Sequence, residues 1–91
     1  MAAVQAELFR PHTSILLARA GETLFGHDWQ SPLARALRLN VRTVQRIAAA
    51  ARRSEPYPVS PAALEGLTRL LEDRAAQCAE VRSEIEDARG V

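Results

Sequence analysis

Apolar residues recur at helical spacing along nearly the whole chain, and no segment alternates apolar and polar with the period of a strand. An all-α fold is therefore expected. Ile15, Leu16, Ala18, Arg19, Leu24 and Phe25 fit one helix, with Pro11 suited to its first position and Gly26 to a left-handed cap beyond its end. A second helix begins between Trp29 and Pro32, with Ser31 as N-cap and Pro32 at N1, or with Asp28 as a cap one turn earlier. It runs through Leu37. Asn40 favours a cap over a helix interior, so a third helix runs from Val41 to about Arg52. The stretch SEPYPVSP is a connector, after which Ser60 and Pro61 open a last helix reaching about Ala88. Leu33, Ala34, Leu37, Leu39, Val44, Ile47 and Ala48 form the expected inward stripe of the middle helices, with small Ala34 where they approach closely.

The resulting organisation is a partly ordered arm over residues 1–10, a core over 11–58, and a C-terminal helical segment over 59–91. A 91-residue chain buries a modest core, so a second copy is the expected extra source of stability. One Cys permits no intrachain disulfide, and His12, His27 and Cys78 are too dispersed for a metal site. Cys78 reads as a small hydrophobe and Trp29 as a core anchor. No catalytic triad spacing is present, and a helical chain of this size has little room for an enclosed active site, so neither an enzyme nor a cofactor is expected. No apolar run approaches the roughly 20 residues of a membrane span, and no secretory signal pattern opens the chain. A cytoplasmic protein is the expectation.

Charge changes the picture. The net charge is only +1, yet Arg35, Arg38, Arg42, Arg46, Arg52 and Arg53 fall in residues 31–53 with no acid among them. Residues 54–91 carry four arginines against eight acids. One face of the third helix reads Arg42, Gln45, Arg46, Ala49. Arginine makes bidentate contacts with guanine and glutamine with adenine in the major groove. An acid-free arginine segment is what a polyanion requires, although charge runs are also found on merely solvated faces.

The segment LFGHDWQSPLARALRLNVRTVQRI, residues 24–47, resembles the helix-turn-helix of Xre/Cro-type bacterial and phage regulators, whose nearest group reads LYG-x-x-WQ-x-x-LARALGV-x-x-RTV-x-RW. The resemblance covers 24 of the 91 residues. It implies a lambda-repressor-like domain of four to five helices. It also implies a phosphate contact at Gln30, base reading by Asn40, Val41, Arg42, Gln45 and Arg46, and Thr43 within the same DNA-facing set. Arg52 and Arg53, just past the helix, suit backbone phosphates. Two positions depart from the pattern: Arg38 stands where the turn has Gly, and Ile47 where an aromatic follows Arg46.

In the last helix Leu64, Leu71, Cys78 and Ile85 recur every seven residues, as do Leu67, Arg74, Val81 and Ala88. Leu64, Leu67, Leu70 and Leu71 are expected in the monomer core, and Cys78, Val81 and Ile85 at a partner helix. The expectation is a homodimeric, sequence-specific DNA-binding transcriptional regulator. A repressor of a phage, prophage or plasmid-type operon, binding double-stranded DNA at an inverted repeat, fits best. The alternative is a protein-interaction module, such as an antitoxin or adaptor, acting through the C-terminal helix.

Overall fold

The structure, a computed structural model, describes residues 12–90. The arm over residues 1–10 and the helix start expected at Pro11 lie outside the described residues. The described chain is all-α, with four helices: α1 Thr13–Phe25, α2 Gln30–Leu37, α3 Val41–Arg52 and α4 Pro61–Arg89.

Each helix end has a local cause. At the start of α1 the His12 carbonyl accepts from the amides of Ile15 at 3.0 Å and Leu16 at 3.1 Å, with no side-chain cap. Gly26 ends α1 with φ 79°, a conformation that only glycine takes without strain. The expected Ser31 cap is not what starts α2. The helix begins at Gln30, and the Leu33 amide donates to the Trp29 carbonyl at 2.9 Å. Pro32 then falls within the first turn, where amide donors have no helical acceptor and a missing N–H costs nothing. The caps of α3 and α4 are as expected. Asn40 Oδ1 accepts from the Arg42 amide at 2.9 Å, and Ser60 Oγ from the Ala63 amide at 3.1 Å, with Pro61 at N1.

The core lies where α1, α2, α3 and the first turns of α4 converge, around Leu17, Leu33, Val44 and Ile47. The buried face of α1 is set by Ser14, Leu17, Gly21 and Leu24, while Leu16 is 40% exposed. Ser14 is fully buried, and its hydroxyl donates to the Glu55 carbonyl at 2.7 Å, fastening the chain beyond α3 to α1. Trp29 is buried at the start of α2, over Gly21. Tyr57 and Val59 of the connector also pack against the core.

Only the beginning of α4 belongs to this body. Ala63 and Leu67 are buried, and Leu64 and Leu70 are packed against the core. Leu71, expected in the core, is instead 37% exposed, because the helix leaves the body after Leu70. Every residue from Leu71 to Gly90 is exposed. At 1.5 Å per residue α4 is about 43 Å long, which accounts for much of the 52 Å long dimension of the molecule.

Gly21 tests this packing by sign. In an exposed helix, Gly→Ala adds about 1 kcal/mol of stability through helix propensity. Here an added Cβ would overlap the indole, closing to 2.7 Å from Trp29 Cδ2. Gly21→Ala is therefore expected to lower stability by roughly 1–3 kcal/mol, the usual cost of overpacking. A shift of the urea midpoint to lower concentration checks it; a rise would mean the indole is not clamped there.

Candidate nucleic-acid interface

The turn between α2 and α3 is closed by backbone bonds. The Leu39 amide donates to the Ala34 carbonyl at 2.8 Å and the Arg38 amide to the Arg35 carbonyl at 3.2 Å. These paired bonds with a left-handed residue between them form a Schellman motif. Arg38 occupies the left-handed position, φ 55° and ψ 41°, so the turn keeps the glycine geometry with a non-glycine residue. Leu39 is drawn inward against the core by this turn. α3 ends the same way: Ser54 has φ 55°, and the amides of Glu55 and Ser54 donate to the carbonyls of Ala50 and Ala51 at 2.8 and 3.0 Å.

Between these two stops α3 has two clear faces. Val44, Ile47, Ala48 and Ala50 are buried. Arg42, Gln45 and Arg46 are exposed on the opposite side, and Arg53 lies seven residues beyond Arg46, on the same line. Asn40 and Val41 are exposed at its N-terminal tip, while Thr43 and Ala49 are half-buried at its flanks. The six arginines of the segment are all exposed, and none makes an ion pair among the described residues, where the one ion pair joins Arg82 and Glu86 on α4.

Two details sharpen what this face can do. Asn40 Oδ1 is turned back onto the Arg42 amide as the helix cap, which leaves both N–H groups of its amide NH2 free to donate. Val41, 37% exposed, offers an apolar side chain beside the arginines, of the type that contacts a thymine methyl group. The fold also unites residues far apart in sequence. Gln30 and Arg52 line one groove with Arg19, Glu22, His27, Asp28, Trp29 and Ala48. Glu22 and Asp28 offset the two arginines there, so the acid-free surface is the face of α3 rather than this flank. That distribution could not be read from the charge of the 31–53 segment alone.

Among the described residues no cluster of His, Cys, Asp and Glu could hold a metal ion. No helix among them is long and apolar enough to cross a membrane. Cys78, Val81 and Ile85 all lie on the exposed length of α4, with Val81 and Ile85 53% and 55% exposed. Among the described residues no other helix covers them. Neither family models, nor curated proteins, nor solved structures give a match to the chain.

The left-handed Arg38 carries a measurable cost. A non-glycine residue there loses roughly 1–2 kcal/mol, whereas glycine loses about 0.5–1 kcal/mol through its freer unfolded chain. Arg38→Gly is therefore expected to raise stability by roughly 0.5–1 kcal/mol, and Arg38→Ala to give no such gain. Urea midpoints at unchanged slope measure both. Equal effects of the two substitutions would assign the change to the lost charge instead.

Proposed function

We propose that the chain is a sequence-specific DNA-binding transcriptional regulator of the helix-turn-helix type, with α2 as the supporting and α3 as the reading helix. The observation that carries this reading is the acid-free exposed face of Asn40, Val41, Arg42, Gln45 and Arg46, backed by buried Val44, Ile47 and Ala48. The buried side fixes the helix to the body, and the exposed side offers guanine and adenine partners near its N-terminal end, which is where reading helices approach base edges. Gln30 at the start of α2, and Arg52 and Arg53 at the end of α3, flank this face at positions suited to phosphates.

A single copy reaches few base pairs, so the reading includes a homodimer formed through Cys78, Val81 and Ile85 on α4. Covering a large aliphatic side chain is worth roughly 1.5–3 kcal/mol when it is fully buried. An inverted-repeat operator with half-sites about 10 bp apart, or a multiple of that, follows from two-fold symmetry. A repressor acting in the cytoplasm on a phage, prophage or plasmid-type operon is the setting we propose. Selection of bound sequences from random duplex DNA tests the whole reading. A palindrome is expected, and the absence of any enriched sequence would sink it.

The exposed length of α4 favours one other reading, a protein-interaction module in which that helix is the working surface. Retention on heparin or random DNA, lost as salt rises, separates the two.

Contacts that read and contacts that anchor differ in their signature. Arg42→Ala or Arg46→Ala is expected to cost roughly 1–3 kcal/mol on the selected site and to relax preference at one base position. The double variant Arg52→Ala, Arg53→Ala is expected to weaken binding to all sequences and to flatten the salt dependence by about one unit per lost phosphate contact. Binding isotherms on cognate and random duplexes across salt concentrations distinguish them. Uniform weakening by all four substitutions would leave α3 with no reading role.

A further inference from the structure

The direction in which two α4 helices can pair is constrained by where the body sits. Ile85 stands 18 residues beyond Leu67, five full helical turns, so the two project from the same face; Cys78 lies three turns beyond Leu67 on nearly that line. The face that α1 and α2 cover from Ala63 to Leu70 is therefore the one that bears Cys78, Val81 and Ile85 further along. Paired helices run only about 8–10 Å apart. A parallel pair would bring both bodies to the same level of the seam and on its inner side, where one helix diameter is all the room available.

We propose that α4 pairs antiparallel with α4 of a second copy, overlapping from Leu71 to Ala88, with each helix end approaching the groove between α1 and α4 of the other copy. This rests on the reading of Cys78, Val81 and Ile85 as the dimer seam. The overlap begins where α4 leaves the body, after Leu70. Leu71 meets the partner's Ala88, Arg74 the partner's Ile85, and Cys78 the partner's Val81. The two-fold axis passes between Cys78 and Val81.

Two further observations favour this direction. In parallel register Arg74 would face the partner's Arg74 across an apolar seam. In the antiparallel one it lies beside the partner's Glu84 instead. The partner's helix end arrives at an open apolar groove lined by Leu16, Ala20, Thr23 and Leu71, with Arg19 at its edge. That groove holds the exposed Leu16 and Leu71, and a cation there suits the negative end of a helix. A parallel pair would gain only Glu84 against the partner's Arg89, an exposed pair that contributes little. The two Leu67 anchors then stand about 38 Å apart along the seam.

Disulfide trapping tests the direction. With Cys78→Ser as background, Leu71→Cys and Ala88→Cys are made in separate full-length chains and oxidised alone and mixed, with sedimentation run in parallel. A disulfide needs Cα atoms within about 7 Å. In the antiparallel pair two copies of residue 88 are about 25 Å apart. The expected result is a covalent dimer from the mixture and none from either chain alone. Ala88→Cys linking to itself would overturn the antiparallel direction while leaving the α4 dimer intact. Chains that sediment as monomers and never link would overturn both, as would dimers in which no combination links.

Discussion

The packing of Trp29 onto Gly21 is the contact on which the arrangement of α1, α2 and α3 depends. The indole fills the space that a side chain on α1 would occupy, and this close approach lets Leu17 and Leu24 on either side reach the core. Trp29 is also the residue whose carbonyl receives the first bond of α2. Holding its side chain against α1 therefore fixes where α2 starts and how it is turned. Three backbone-closed residues separate α2 from α3, so the orientation of α3 follows from that of α2 with little freedom left. The far end of α3 is tied back to α1 by the Ser14 hydroxyl on the Glu55 carbonyl. α3 is thus held at both ends, and its outward face inherits a fixed direction from a contact on the other side of the core.

What could be read from the sequence was what is decided within a few residues. Asn40 and Ser60 cap their helices because a short oxygen-bearing side chain next to a helical run has one good use. The inward stripe of Val44, Ile47 and Ala48 followed from its spacing. The misreadings are those in which distant residues decide. Ser31 looks like a cap, yet burial of Trp29 two residues earlier starts the helix before it. Leu71 has the spacing of a core residue but stands past the point where the body ends. Gly21, which by helix propensity alone would weaken α1, is in three dimensions the seat of the indole. The acids Glu22 and Asp28 lie outside the basic segment in sequence and beside Gln30 and Arg52 in space.

Arg38 illustrates how local and global demands are traded. The turn requires a left-handed residue so that Leu39 can swing into the core, and glycine would meet that at lower strain. The chain places an exposed arginine there instead, adding positive charge next to the N-terminal tip of α3. Under the proposed DNA-binding role that charge lies near a polyanion, so a small loss of folding stability is accompanied by a gain in long-range attraction. The gain is screened beyond about 8–10 Å at ordinary ionic strength, which makes the position of the charge matter more than the net +1 of the chain.

The length of α4 poses the last constraint. An isolated helical segment shorter than about 12–15 residues is marginal in water, and longer ones hold only when one face is packed. Among the described residues the exposed stretch from Leu71 onward has one ion pair, Arg82 with Glu86, to support it, and exposed pairs of this kind contribute at most a few tenths of a kcal/mol. Its apolar residues lie on the face that α1 and α2 cover nearer the start of the same helix. Covering that stretch by a second copy would therefore extend the monomer core along one continuous helix rather than add a separate interface. Association and folding would then be linked, because whatever stabilises the distal turns of α4 also steadies the turns that close the core around Leu67. In such a chain the position of the two reading helices would be set by the same apolar face that holds each body together.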